Sequence, residues 1–374
     1  MDPNSVFCPN PDCPSCGQPG QGNIGVHSPK ERRYICHLCQ KTFAETKGTA
    51  FYRLHKARDV FVLVVTLLAH GCPLQAIVVA FGLDERTVQA WQKRAGEQSE
   101  GVQKHLVEQP RDLGQVQADE LRVKTQRGVV WLATAMQVST RLWLGGVCGV
   151  ERSRILVRNL LAKVKAAACG AVLLFCTDGF AAYPKEARRA FREPEPTGGS
   201  GRPRLRPWPH LLIGQVIKQY AQRRVIGVTR RLVQGSEAAA QVMIAQTQGG
   251  GGINTSYIER LNATFRERLA SLVRRGRALA RQEATLYYGM YLVGTVYNFC
   301  THHDSLRRPG GAGEPQWVPR TPAMAAGITD HRWSVAELLW YRVPPPPWRP
   351  PKRRGRRSAA LKGLIARWCP SSTV

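Results

Sequence analysis

The sequence predicts an α/β core preceded by a small cysteine-rich metal module and an all-α hairpin. Three observations carry that expectation. Two Cys-x-x-Cys pairs lie near the start, and residues 56–100 show helical periodicity in two runs. Between residues 113 and 195, short β-rich runs alternate with one long amphipathic helical pattern. With 374 residues, 43% of them apolar, the chain has room for two or three domains and at least one sizeable core. Lys and Arg number 54 against 26 Asp and Glu, a net charge of +28, and such a surplus favours a polyanionic partner, nucleic acid first and an anionic membrane surface second. The longest apolar run, Val60 to Ala69, is about half of what a membrane span needs. No positively charged start followed by an apolar stretch occurs, so no signal peptide and a cytoplasmic location are expected. Eleven cysteines is an odd number, and five crowd into residues 8–39, which favours a reduced compartment with one metal site over a disulfide scaffold.

The metal module spans residues 1–50. Cys13-Pro-Ser-Cys16 and Cys36-His-Leu-Cys39 are two knuckles whose spacing suits a tetrahedral structural zinc of the zinc-ribbon kind. Four thiolates close such a site, so its role is to fold the module rather than to catalyse. Cys8 stands five positions before Cys13 and competes with Cys16 for the fourth ligand position.

Residues 51–100 read as a helix-turn-helix. Arg58 to His70 is apolar and helical, Gly71 and Pro73 break it, and Leu74 to Phe81 forms a second helix. Asp84 is an N-cap candidate for a third helix from Glu85. That helix presents Arg86, Gln89, Gln92 and Lys93, residue types that contact bases or phosphates, while Val88 and Trp91 face inward.

The catalytic expectation centres on three carboxylates. Gly114 to Lys124 reads as a strand with Asp119 and Glu120 in its middle, where a carboxylate is costly unless it binds a metal or hydrogen-bonds; alternation alone does not say which of the two faces the site. β-rich runs follow at residues 129–136 and 141–150, then a helix over about 151–168, then an apolar run from Ala171 that ends in Thr177-Asp178-Gly179. A fifth β-rich run covers 224–233, and residues 254–298 read as one long helix broken near Arg281. Its opening turns place Glu259, Asn262 and Arg266 on one face, beside an apolar stripe of Ile258, Leu261, Phe265 and Leu269. Three strands, a helix, a strand and then helices resembles the ribonuclease H-like fold, which can bring a first-strand Asp, a fourth-strand Asp and a late-helix Glu to one point. Hard oxygen ligands there favour Mg²⁺ or Mn²⁺.

The ordered set CPSC with YICHLCQKTF, QADELRVK, TDGFAAY, and YIERLNATFRERLASLVRR followed by RALARQEA resembles the insertion-sequence-one family of DDE-type transposases over most of residues 8–300. The resemblance implies a zinc finger and helix-turn-helix ahead of a ribonuclease H-like catalytic domain over 113–305. It places the catalytic, metal-binding acids on Asp119, Asp178 and Glu259, and gives Glu120 no firm role. It implies binding to the element's inverted repeats, metal-dependent cleavage that frees a 3′-hydroxyl, and transfer of that end into target DNA by a homo-oligomer in a prokaryotic cell. Arg260 and Arg266 would steady the scissile phosphate or flanking strand. Two stretches depart from the family: residues 192–252, read as an inserted basic loop or as longer strands, and the Pro-rich basic extension 306–374, read as an accessory DNA contact or a dispensable tail. The rival expectations are a DNA-binding regulator without catalysis, such as a decayed or domesticated transposase, and a ribonuclease H-like nuclease.

Overall fold

The structure is a computed structural model that describes residues 1–195, 203–222, 224–273, 279–311, 313–346, 348–350 and 355–369. It is a mixed α/β protein whose chain divides into two compact units, one made of residues 1–58 with 339–374 and the other of residues 59–338.

The first unit contains an antiparallel three-stranded sheet, β1 (Ile24–Ser28), β2 (Arg33–Cys36) and β3 (Thr42–Ala44). Val6, Tyr34 and Phe43 form its small apolar cluster. So small a core leaves the unit dependent on other links. One is the chain's own carboxy-terminal segment. The Phe51 and Trp340 rings lie 4.5 Å apart, Arg58 stacks on Trp340 at 5.1 Å, and Ala50 N–H donates to the Leu339 carbonyl at 3.0 Å. Arg342 donates to the carbonyls of Glu45 and Lys47. Residues 339–342 of the expected accessory extension are therefore structural, joined to residues far away in sequence. Lys352, Arg353 and Arg354 of the expected basic tail lie outside the described residues.

The second unit begins with three helices, α1 (Arg58–Ala69), α2 (Leu74–Phe81) and α3 (Glu85–Val102). Gly82, at φ 59°, ends α2, and its N–H reaches the Val78 carbonyl; Asp84 accepts the Arg86 N–H and opens α3. Phe61 and Trp91 meet edge to face at 5.2 Å inside the hairpin. α3 is longer than the periodicity suggested.

Six strands form the main sheet: β4 (Gln115–Thr125), β5 (Gly128–Gln137), β6 (Trp143–Gly149), β7 (Leu173–Asp178), β10 (Leu211–Ala221) and β11 (Arg224–Gln234). A short separate pair, β8 (Arg192–Pro194) and β9 (Leu205–Pro207), lies between β7 and β10 in the chain. The spatial order is β11-β10-β7-β4-β5-β6, with β4, β7 and β10 parallel and the other neighbours antiparallel. β10 was not expected. Its first half, Leu211 to Val216, is buried beside β7, so much of the expected basic insertion is a sheet strand and its hairpin partner.

Helices cover both faces. α4 (Arg154–Ala167) and α5 (Ala182–Ala190) lie on one side, where Phe175 of β7 meets Tyr183. α6 (Glu237–Gln248), α7 (Ser256–Arg268) and α8 (Glu283–Cys300) lie on the other. Leu174 and Cys176 of β7 cluster with Met243 and Ile244 of α6, and Leu121 and Val123 of β4 cluster with Ile258 and Phe265 of α7 and Tyr291 of α8. The expected single helix over 254–298 is two helices. α7 stops at Arg268, because Leu269 turns extended and its buried side chain sits against Gly289 of α8. Residues 274–278, which include Arg274 and Arg275 of the basic stretch, lie outside the described residues.

α3 is joined to α8. A Cβ on Gly96 would sit 2.5 Å from Tyr288, so the two helices approach as closely as glycine permits. Tyr287 OH donates to Glu100, and Asn298 ties Gln103 to the backbone of Trp143 on β6. The third helix is thus packed on the α/β core. Among the described residues no helix is long and apolar enough to cross a membrane.

Candidate functional site

The strand pleat separates Asp119 from Glu120. Leu121 and Val123 face α7 and α8, and Asp119 shares that side, accepting a hydrogen bond from Asn262 of α7 at 2.8 Å. Asn262 is itself set by Thr134 of β5, whose hydroxyl donates to its carbonyl at 3.1 Å. Glu120 points the other way, to Arg152 in the loop before α4, at 2.9 and 2.8 Å. Asp178 ends β7, where its Oδ1 accepts the Phe180 N–H at 3.0 Å.

Glu259 reaches the same place through Gln117. This fully buried β4 side chain accepts the N–H groups of Tyr257 and Ile258 at 3.1 and 3.0 Å and donates to Asn254. It satisfies the free N–H groups at the start of α7 and fixes that end of the helix on the strand that carries Asp119. Sequence reasoning missed Gln117; a polar residue in a buried strand two positions before Asp119 was the signal available.

Asp119, Asp178, Glu259, Asn262 and Arg266 line one cleft of about 780 Å³, together with Arg152, Phe180, Lys218 and Tyr220. Ligand oxygens of Asp119, Glu120 and Asp178 lie within 4.8 Å of one another and could hold a metal ion. Glu259 is outside that group; its Oε1 accepts from Lys218 Nζ at 2.6 Å and from the Thr255 hydroxyl at 2.8 Å. Burial raises the Asp119 carboxyl above its ordinary value, and the charges of Asp178 and Glu259 raise it further, against hydrogen bonds that lower it. Burial lifts Glu120 to about 6, although Arg152 acts to lower it. Glu120 Oε1 and the Tyr183 hydroxyl are both buried without an ordinary hydrogen bond, yet each perturbs the other, and Tyr183 is pushed well up by burial and by that carboxylate.

Arg260 is exposed and does not line this cleft; its charge bears on Arg141 and His303 instead. Arg86, Gln89, Gln92 and Lys93 line a second cleft of about 770 Å³, with Leu269, Arg281 and Tyr288. Arg86, Gln89 and Lys93 are exposed and Gln92 is half-buried. Gln89 donates to Glu85 at 2.7 Å, and Lys93 lies 3.7 Å from Glu97.

In the amino-terminal unit the sulfurs of Cys8, Cys13, Cys36 and Cys39 gather within 4.8 Å, and Cys16 is not among them. The Cys8–Cys39 and Cys13–Cys36 separations are 3.6 and 3.9 Å. Burial pushes the Cys36 thiol up, but backbone N–H groups of Cys39 and Leu38 and the side chains of Ser15 and Asn23 outweigh it and bring it down to about 6. Burial alone dominates at Cys16, which rises to about 11. Of the two readings left open by the spacing, the structure takes Cys8 with Cys13. Cys16 serves the backbone instead: it bridges to Cys8, and Gly17 N–H donates to the Cys8 carbonyl.

No protein-family model matches the chain, and no curated protein sequence matches it significantly.

Proposed function

We propose that the protein is a DDE-type DNA transposase whose core is ribonuclease H-like. The observation that carries this is the convergence of Asp119 from β4, Asp178 from β7 and Glu259 from α7 on one cleft. The strand order supports it: an antiparallel β4-β5-β6 set with β7 and β10 added in parallel beyond β4 matches that fold's arrangement. The net charge of +28 suits a phosphate backbone.

In this reading Asp119 and Asp178 would hold divalent cations with hard oxygen ligands, Mg²⁺ or Mn²⁺, and Glu259, on the same cleft, would complete the site. Such ions, when bound, supply stabilisation of the attacking and leaving oxygens of an in-line phosphodiester displacement. Asn262 orients Asp119, Gln117 holds α7 and therefore Glu259 in place, and Arg266 lies in the cleft within reach of a bound strand. The exposed stripe of α3 contacts DNA at the element ends. The test is cleavage of duplexes carrying the element's inverted repeats in Mg²⁺ or Mn²⁺. Nicks that leave a 3′-hydroxyl at the element boundary are expected, and random or absent nicking contradicts the reading.

The cysteine cluster fits zinc. A tetrahedron with Zn–S near 2.3 Å has edges of about 3.8 Å, and the two measured sulfur separations are 3.6 and 3.9 Å. Cys8→Ser is expected to lower bound zinc from one equivalent to a small fraction, whereas Cys16→Ser keeps it. Elemental analysis of the purified variants checks this, and the reverse pattern would refute the ligand set.

A further inference from the structure

Arg152 makes unequal bonds. Its Nε and Nη2 hold Glu120 Oε2 at 2.9 and 2.8 Å, and Nη2 also reaches Asp178 Oδ2 at 2.6 Å. The Glu120 side chain is fully buried, so its charge is tolerated only beside a cation. Asp178 is 38% exposed and keeps a second partner in the Phe180 N–H. Glu120 is thus the anchor of Arg152, and Asp178 is the exchangeable partner. The guanidinium is steadied from one side by the Phe180 ring at 4.3 Å. Lys218 repeats the pattern on the opposite rim. It projects from the part of β10 that runs beyond β7, whose last paired residue is Asp178 opposite Val216, and its Nζ closes on Glu259.

We propose that Arg152 and Lys218 are tethered cations that hold Asp178 and Glu259 until a nucleic-acid strand enters, and then pass to its phosphate oxygens as divalent ions take the carboxylates. This rests on the nucleic-acid reading above and adds that ion binding and strand binding are coupled. A divalent ion on Asp178 would share that carboxylate with a guanidinium that is always charged, and the two repel at that range. A phosphate resolves the conflict. It offers paired oxygens that match the guanidinium fork, and Arg152 can turn its outer N–H groups to it while Nε stays on Glu120. The ammonium of Lys218 needs only a point anion and has slack to move, its side chain being 34% exposed. Neither residue belongs to a motif that the sequence singled out, because each pairs with a carboxylate distant in the chain.

The experiment is Mn²⁺ binding to the full-length, zinc-loaded protein, read from the electron paramagnetic resonance of free Mn²⁺, with and without a short DNA duplex of arbitrary sequence. Arg152→Met alone would strand a buried carboxylate, and Glu120→Gln beside it would remove an oxygen that could ligate the ion, so the variant used is Arg152→Lys, which keeps a cation for Glu120 and gives up the forked reach to Asp178; Lys218→Met stands as a second variant that disturbs nothing buried. The wild type is expected to bind Mn²⁺ weakly alone and about tenfold more tightly with duplex. Each variant is expected to bind Mn²⁺ about tenfold more tightly without duplex and to gain less from adding it. Unchanged or weaker Mn²⁺ binding in both folded variants, with the duplex effect intact, would overturn the tethered-cation role and leave the nucleic-acid reading standing. Tighter binding in the variants with no duplex effect in the wild type would overturn the hand-over to phosphate and leave the nucleic-acid reading to the cleavage test above.

Discussion

Asp119→Asn is expected to melt at a higher temperature than the wild type and to cleave no DNA. The Asp119 carboxyl is raised by burial first and by the charges of Asp178 and Glu259 after that. A carboxyl whose folded value lies above its unfolded value contributes stability below the ordinary carboxylate range, and that contribution is lost as pH rises through the folded value. At neutral pH the ionised group therefore weighs against the fold, and a neutral isostere relieves it. The amide carbonyl of the variant still accepts from Asn262, which donates to Asp119 in the structure, so that bond is kept. The gain is read by calorimetry in chelator, at roughly 2–4 °C for each kcal/mol recovered. Excess Mg²⁺ should narrow the gap, because the ion binds and stabilises the wild type alone. Cleavage should fall by about a thousandfold or more, the scale of losing a principal electrostatic group at a reacting centre. A variant that melts lower in chelator would mean that Asp119 is a structural carboxylate.

Ending the chain after Leu338 is expected to weaken the proposed zinc site without touching a cysteine of the cluster. Phe51 is 2% exposed and stacks on Trp340, and Arg342 bonds the carbonyls of Glu45 and Lys47. Truncation uncovers the ring and strips those carbonyls of their donor. Zinc release to a chelator should accelerate by tenfold or more, and proteolysis within residues 1–58 should follow. Trp340→Ala in the full chain should act in the same direction at a cost of about 2–3 kcal/mol, less than for a fully buried aromatic because Trp340 keeps some exposure. Unchanged zinc release in the truncated protein would show that the segment from Leu339 is dispensable.

Local signals carried the elements and distant pairings decided the sites. The hairpin of α1 and α2 was legible because Gly71, Pro73 and Gly82 punctuate it and Asp84 caps α3. β4 and β7 were legible from apolar runs, and Glu259 from its place on the face of α7 that also carries Asn262 and Arg266. Cys8 and Cys16 could not be separated, since both spacings suit a metal and the choice is made by how the first loop folds back on itself. β10 was hidden because its buried half is followed by Lys218 to Gln222, which read as part of a basic insertion. The side on which Glu120 lies, the grip of Arg152 and Lys218, and the stacking of Phe51 on Trp340 depend on residues far apart in the chain. No periodicity reports such pairings.

The most direct test of a DDE transposase is strand transfer. A labelled duplex carrying one element end with its 3′-hydroxyl already exposed is mixed with supercoiled plasmid and Mg²⁺ or Mn²⁺, for the wild type beside Asp119→Asn, Asp178→Asn and Glu259→Gln. Metal-dependent joining of the label to plasmid, lost in all three variants, is the expected result. Plasmid cutting without joining would contradict it and identify a nuclease, and end binding with neither cutting nor joining would identify a DNA-binding regulator.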